Sequence, residues 1–255
     1  MGTWSAGSSC GRHVSGNQGP VNELSAKIRA IRDRIRLAAE RVGRDPQSVR
    51  LVAATKYVEA PRILEAILAG VTIYGENRWQ EAQAKMRDVG PRVDVEWHFI
   101  GRLQRRKLKW LVGRFGIIHS VESVEQAEEI QHRALEQRTS QTILLEVNVG
   151  GEASKGGFSP DALPEAVSQI DAFPAVSVQG LMTLPPWDPD PEMMRPYFQR
   201  LKHLADRINR MPLQRVHMRE LSMGMSHDFE VAVEEGATLV RVGTALFGAR
   251  ERPGL

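Results

Sequence analysis

Eight short apolar segments follow one another along the chain, and each gap between them has room for a helix. They lie at residues 51–56, 71–76, 95–101, 116–121, 142–149, 176–184, 219–224 and 239–248. Segments that are apolar along their whole length are typical of parallel strands buried on both faces. Eight strand–helix units within about 200 residues predict an α/β protein, a (β/α)₈ TIM barrel. A doubly wound open sheet is the alternative, but it usually has fewer strands and needs a topological switch point.

An additional helix is predicted before the first strand, over residues 21–42. One apolar stripe with spacings of three and four supports it: Leu24, Ile28, Ile31, Ile35, Ala38 and Val42. Gly43 then ends this helix. Further helical patterns cover residues 61–70, 124–138 and 193–210. The proline-rich segment 184–194 is interpreted as an ordered loop over the barrel mouth.

The domain organisation follows from this pattern. Residues 21–250 form a single barrel domain, residues 1–20 a flexible Gly/Ser-rich extension, and residues 251–255 a tail. Whether this extension contains a transit peptide is left open by the sequence. The lone cysteine, Cys10, excludes an intrachain disulfide and favours a reducing compartment, so we expect a cytoplasmic protein. No apolar run of about 18 residues exists, which excludes a transmembrane helix.

The charge balance favours an anionic ligand. The formal net charge is +3 with a pI near 9.2, and only seven of the 34 cationic side chains are lysines. Nucleic acid and a phosphorylated small molecule both fit. The basic segment 102–110 lacks interleaved aromatic residues for base stacking, which makes nucleic acid the weaker candidate. No metal-ligand spacing and no G-x-S-x-G motif is present, so neither a metal site nor an acyl-transfer triad is expected.

Lys56 is the most informative candidate for chemistry. Active sites of (β/α)₈ barrels lie at the C-terminal ends of the strands, and Lys56 ends the first strand. Partial desolvation there favours the neutral amine, which is the form that attacks an aldehyde. The alternative is that Lys56 extends into solvent or pairs with Glu76.

The ends of the seventh and eighth strands carry glycines and hydroxyls. The segments are SMGMS (222–226) and GTALFG (243–248), with hydroxyls on Ser222, Ser226 and Thr244. Loops after these strands form the usual phosphate site of this fold. An amine facing such a site matches an aldehyde phosphate, of which pyridoxal 5′-phosphate (PLP) is the common one. His98, between Trp97 and Phe99, fits a core histidine and a cofactor contact equally well.

These residues belong to motifs that resemble the pyridoxal phosphate homeostasis (YggS/PROSC-type) family over residues 21–250. The motifs are ATK at Lys56, YGENRWQE (74–81), WHFIG (97–101), EASKGG (152–157), GLM (180–182), LSMGMS (221–226) and VRVGTALFGAR (240–250). The resemblance implies a barrel like that of alanine racemase and PLP held as a Schiff base on Lys56. It also implies the remaining cofactor-binding residues: Ser222, Met223, Gly224, Gly243 and Thr244 at the phosphate, Arg241 at the pyridine nitrogen, and Asn77 and His98 along the cofactor. One departure is that Arg102, Arg105 and Arg106 replace proline, serine and asparagine of the family pattern, adding positive charge near the mouth.

The resemblance implies a non-catalytic carrier that takes up and releases PLP, acts as a monomer and serves PLP-requiring apo-enzymes. A PLP-dependent amino-acid racemase is the alternative. It is opposed by the end of the chain at Leu255, soon after the eighth strand, and by the absence of any tyrosine after Tyr197. Arg241 is expected to weaken the electron sink of PLP, unless it pairs with Glu220 instead. A class I aldolase, which uses a lysine without PLP, and a nucleic-acid-binding module stay open.

Overall fold

The computed structural model describes residues 23–152 and 155–248, and it confirms the (β/α)₈ barrel. Across these residues the strands are β1 (Arg50–Ala54), β2 (Ile73–Glu76), β3 (Glu96–Phe99), β4 (Ile117–Val121), β5 (Gln141–Glu146), β6 (Val176–Met182), β7 (Val216–Met225) and β8 (Leu239–Val242). Each strand pairs in parallel with the next, and β8 pairs with β1 to close the barrel. The sequence extensions 1–20 and 251–255 lie outside the described residues.

Helices lie before, between and after the strands, on the outside of the barrel. They are α1 (Glu23–Arg41), α2 (Ala60–Leu68), α3 (Trp79–Val89), α4 (Leu108–Leu111), α5 (Val124–Glu136), α6 (Leu163–Ile170), α7 (Arg195–Ile208), α8 (Phe229–Glu234) and α9 (Thr244–Phe247). Within the described ranges, none of them has both the length and the apolar character that crossing a bilayer requires.

The predicted first helix is confirmed as α1, with one exception in its apolar stripe. The stripe residues from Leu24 to Ala38 are buried, whereas Val42 lies beyond the helix and is exposed. Gly43, with a φ of +68°, follows the end of the helix as predicted.

The eighth strand was predicted too long. The structure ends β8 at Val242, and Gly243, with φ −121° and ψ −72°, turns the chain into the short helix α9. The apolar run continues into α9 because its first turn packs Leu246 into the core. Periodicity alone does not separate a strand from a buried helical turn in such a short run.

The barrel interior contains an apolar layer and a polar layer above it. An apolar layer contains Val52, Ile73, Ile117, Leu144, Met182 and Leu239. His119 and Arg241 follow Ile117 and Leu239 by two residues, so they point inward one layer nearer the C-terminal ends of the strands. On β4 and β8 the inward-facing side chains therefore change from apolar to polar towards the candidate site.

Helix α1 packs against α8 and α9, and so joins the first helix of the barrel to the last elements described. The Arg34 guanidinium lies 2.7 Å from Glu230 and 4.6 Å from the centre of the Phe229 ring. Because partly exposed ion pairs contribute only about 0–1 kcal/mol each, the buried apolar stripe of α1 provides most of the stabilisation.

Candidate functional site

A cavity of about 630 Å³ opens at the C-terminal ends of the strands, within the size range of ligand pockets. Five of the nine predicted cofactor residues line it: Lys56, Asn77, Arg241, Gly243 and Thr244. The other four, His98, Ser222, Met223 and Gly224, do not belong to its lining. The cavity brings the ends of β1, β2, β7 and β8 together, as the sequence predicted.

Lys56 lies two residues after β1, which ends at Ala54 rather than at Lys56 as predicted, and it is half-buried in the cavity wall. The backbone is constrained on both sides of Lys56, by a hydrogen bond at Thr55 and by an unusual conformation at Tyr57. The Thr55 carbonyl accepts a hydrogen bond of 2.6 Å from Lys85 Nζ, and Tyr57 has a φ of +64°, which is unusual for a residue with a side chain. The Lys56 ammonium lies 5.0 Å from the centre of the Tyr57 ring.

Glu76 pairs with Lys85, so the alternative of a Lys56–Glu76 pair is wrong. Lys85 Nζ lies 2.7 Å from Glu76 Oε1, and the Thr55 hydroxyl donates to the same oxygen at 2.5 Å. Glu76 is fully buried, and this burial raises the pKa of its carboxyl group while Lys85 opposes the rise. Because Glu76 is engaged by Lys85, the Lys56 amine is left facing the cavity.

Asn77 reaches the cavity next to a close backbone contact. A Cβ atom on Gly101 would lie 2.2 Å from the Asn77 carbonyl oxygen. Glycine at position 101 therefore lets the segment after β3 pass against the end of β2.

The loops after β7 and β8 meet at Ser226. Its hydroxyl oxygen accepts hydrogen bonds from the backbone N–H groups of Gly243 at 3.2 Å and Ala245 at 3.3 Å. Thr244, between them, lines the same end of the cavity. Two backbone donors therefore converge on the Ser226 hydroxyl, beside Thr244 in the cavity wall, and this combination suits an anionic group such as a phosphate.

Arg241 is buried at the floor of the cavity. One guanidinium nitrogen donates to Ser222 Oγ at 2.5 Å, and the other donates to the Thr183 carbonyl at 2.9 Å. Burial lowers the pKa of Arg241 to about 10, while the carboxylates of Asp228 and Glu146 oppose the change. Arg241 therefore stays charged at neutral pH.

The alternative prediction, that Arg241 pairs with Glu220, is wrong. Glu220 binds Arg50, with 2.7 Å between Nη2 and Oε1, and accepts a hydrogen bond from the Thr238 hydroxyl. The guanidinium of Arg241 is thus available at the cavity.

The four remaining predicted residues lie in the packed interior rather than in the cavity wall. Ser222 and His98 are buried inside the barrel, where both contact His119. Met223 is buried in the core, and Gly224 adopts a φ of +87° at a close contact with α8. A Cβ atom on Gly224 would lie 2.5 Å from the Ala232 Cβ, so glycine is required there for packing.

The proline-rich loop lies at the mouth, as predicted. Leu184 and Trp187 line the cavity, and the Trp187 ring lies 6.1 Å from the His227 ring. The arginines that depart from the family pattern do not line the cavity: Arg102 and Arg105 extend towards Glu122 and Glu129, at 3.8 and 3.2 Å. The carboxylates therefore partly balance the extra positive charge.

Sequence reasoning missed Lys85 and His119. Lys85 lies on α3, where a charged residue is expected to face solvent. His119 could have been found, because it occupies an inward position on β4 two residues after Ile117. Ser226 was recognised as a hydroxyl but was not selected as a site residue.

Comparisons with known proteins agree with the fold and with the motifs. The family model described as alanine racemase, N-terminal domain, matches residues 27–251. The pyridoxal phosphate homeostasis protein of Aquifex aeolicus is 47% identical over 225 residues, which cover 88% of this chain and 97% of the relative. The protein of the same name from Pseudomonas aeruginosa is 36% identical, with 91% and 97% covered.

Solved structures give the same result. PipY of Synechococcus elongatus, solved with PLP bound, has a TM-score of 0.77 and 32% identity, covering 89% of this chain and 100% of PipY. An alanine racemase from Clostridium difficile has a TM-score of 0.67 at 14% identity, covering 91% of this chain and 58% of the racemase, which is a likeness of fold alone. The chain therefore belongs to the family of pyridoxal phosphate homeostasis proteins, built on the barrel of the alanine racemase N-terminal domain.

Proposed function

We propose that this protein binds PLP as a Schiff base on Lys56 and carries the cofactor without catalysing a robust reaction of its own. The observation that carries the proposal is the arrangement of the cavity. An amine stands at the end of β1, a charged guanidinium lies at the floor, and backbone donors and hydroxyls lie at the ends of β7 and β8. These groups match an aldehyde, a pyridine nitrogen and a phosphate.

The phosphate is assigned to Ser226, Gly243, Thr244 and Ala245. Ser226 replaces Ser222 in this role because the Ser222 hydroxyl is buried and engaged by Arg241 and His119. A phosphate would take over the two N–H groups that now donate to Ser226 Oγ, and hydrogen bonds to a charged group are worth about 1.5–3 kcal/mol each.

Arg241 supports a carrier over an enzyme. When bound, PLP supplies an aldehyde for amines and a pyridine ring that accepts electrons once it is protonated. Arg241 donates hydrogen bonds and is permanently charged at neutral pH, so it disfavours protonation of a nearby nitrogen. A racemase-type activity remains the alternative outcome of the test.

The name shared by the relatives supports a role in PLP homeostasis. In that role the partners are PLP and PLP-requiring apo-enzymes, which receive the cofactor when it is released. Action as a cytoplasmic monomer belongs to the same proposal.

The test is an absorption spectrum of the purified protein, followed by borohydride reduction and peptide mapping. We expect a visible band and a pyridoxyl group on Lys56, with both lost in Lys56→Ala and retained in Lys109→Ala. A pyridoxyl group found only on another lysine, such as Lys155, would reject the assignment. Robust amino-acid turnover that vanishes in Lys56→Ala would replace the carrier with the enzyme.

A further inference from the structure

A row of hydrogen-bonded side chains runs through the barrel interior below the cavity. Arg241 Nη1 donates to Ser222 Oγ at 2.5 Å, Ser222 Oγ lies 2.9 Å from His119 Nδ1, and His119 Nε2 lies 2.9 Å from His98 Nδ1. His98 Nε2 in turn lies 2.9 Å from Glu96 Oε1, although its N–H is not well aligned with that oxygen. Glu96 begins β3, so the row runs from the cavity floor to the opposite end of the barrel.

The direction of these hydrogen bonds follows from Arg241. A guanidinium only donates, so Ser222 Oγ is the acceptor in the first bond. Within the described part of the chain, the Ser222 hydroxyl has only His119 Nδ1 as a possible acceptor. A donating Nδ1–H would leave the buried hydroxyl proton without a partner, at a cost of about 1–3 kcal/mol. His119 Nδ1 is therefore the acceptor.

The remaining protons are then determined. A neutral imidazole with an accepting Nδ1 carries its proton on Nε2, so His119 donates to His98 Nδ1. His98 then also carries its proton on Nε2, which faces the Glu96 carboxylate. Each of the three hydrogen bonds points away from the arginine, towards the end of the row where Glu96 lies.

The charges along the row agree with this direction. Burial lowers the pKa of His119 well below its ordinary value, and His98 and Arg241 add to the effect, so His119 is neutral. The close approach of the His98 ring lowers the pKa of Glu96, which keeps this end of the row negative. The row thus runs from a permanent cation, through neutral His119 and the ring of His98, to a carboxylate.

We propose that Ser222, His119 and His98 are positioning residues that hold the Arg241 guanidinium at the cavity floor through a one-directional relay of hydrogen bonds, which ends at His98 beside the Glu96 carboxylate. The Ser222 hydroxyl and the Thr183 carbonyl each accept a hydrogen bond from one guanidinium nitrogen, and the two bonds together fix the plane of the group. The effect of this plane on bound PLP rests on the proposed function, whereas the relay itself does not.

Two substitutions of His119 separate the upper and lower bonds. In His119→Asn, the amide oxygen lies near the position of Nδ1 and keeps the bond from Ser222, while the bond to His98 is lost. In His119→Gln, the amide nitrogen lies near the position of Nε2 and keeps the bond to His98, while the acceptor for Ser222 is lost. The two variants are matched in chemistry and differ by one methylene group.

Nuclear magnetic resonance of the unloaded protein tests the relay without PLP. In wild type, ¹⁵N shifts should place the proton on Nε2 of both histidines, and the Arg241 Nη protons should exchange slowly with water. His119→Asn should keep this slow exchange. His119→Gln should accelerate it about tenfold or more, as expected from the loss of one hydrogen bond to a charged group. A proton on Nδ1 of either histidine in wild type would overturn the proposal without requiring any variant.

The same variants are then loaded with PLP. We expect PLP to dissociate about tenfold faster from His119→Gln than from wild type, and within about twofold of wild type from His119→Asn. Equal effects of the two variants on Arg241 exchange and on PLP release would overturn the positioning role. If wild type binds no PLP, the proposed function fails, and the measurements on the unloaded protein still decide the relay.

Discussion

The buried Glu76–Lys85 pair gives a prediction whose pH dependence can be worked from the structure. In Lys85→Met, the Glu76 carboxylate loses its partner while the methionine keeps most of the side-chain volume. Glu76 is fully buried, so it takes up a proton rather than remain charged. Burial already raises its pKa, and the loss of Lys85, which lowers it, raises the pKa further.

The size of the destabilisation follows from the free energy that protonating Glu76 costs at each pH. Each pKa unit corresponds to about 1.4 kcal/mol, so protonation from the ordinary value of 4.5 costs at most about 3.4 kcal/mol at pH 7 and about 0.7 kcal/mol at pH 5. The lost hydrogen bond to the Thr55 carbonyl adds about 1 kcal/mol at either pH. The total of about 4 kcal/mol at pH 7 agrees with the cost of about 3–5 kcal/mol for breaking a buried pair.

The sign of the effect is fixed by proton linkage. The folded variant binds a proton more tightly than the unfolded chain, so its stability is greatest below pH 4.5 and is lost as the pH rises towards the folded pKa. Urea unfolding of Lys85→Met and wild type at pH 5 and pH 7 measures this change. The double variant Glu76→Gln/Lys85→Met is the control, because it has no charge to titrate. A loss of stability in Lys85→Met that is the same at both pH values would refute the reasoning.

Three further predictions concern the site. Changing Ser226 and Thr244 together to alanine should weaken PLP binding at least a hundredfold, because two hydrogen bonds to a charged group are lost, at about 1.5–3 kcal/mol each. Pyridoxal, which has no phosphate, serves as the comparison. Equal weakening of both ligands would contradict the assignment. Gly224→Ala should lower the free energy of unfolding by about 2–4 kcal/mol, because residue 224 has a left-handed backbone and is in close contact with α8. Gly243→Ala should lower it by less, because Gly243 has no positive φ. Urea unfolding compares the two variants. Wild-type protein loaded with PLP should show no appreciable racemase, transaminase or decarboxylase turnover with common amino acids, measured against the Lys56→Ala variant.

The sequence predicted the barrel because its strands are apolar on both faces and recur at regular intervals. It also placed Lys56, Asn77, Gly243 and Thr244 at one mouth, since the ends of parallel strands meet at the same edge. These predictions need only the order of the strands and their direction.

The sequence did not predict which side of a strand end each residue faces. Ser222 and Ser226 are both hydroxyls after an apolar run, but β7 continues to Met225, so Ser222 points into the barrel and Ser226 lies in the loop. Lys85 pairs with a residue nine positions earlier, across a turn whose geometry the pattern does not contain. Side-chain direction at strand ends and pairing between elements required the coordinates.

Closure of the barrel joins positions that are far apart in the chain, and this has a kinetic consequence. Arg50 on β1 pairs with Leu239 on β8, 189 positions later, so β1 keeps an open edge until the last strand has been synthesised. Lys56 and Thr244 stand on opposite sides of that junction. In the proposed binding mode, a cofactor held by both residues would span this junction and stabilise the closed ring without adding a contact elsewhere. Hydrogen exchange of the β1 and β8 amides, with and without PLP, should therefore report occupancy of the site.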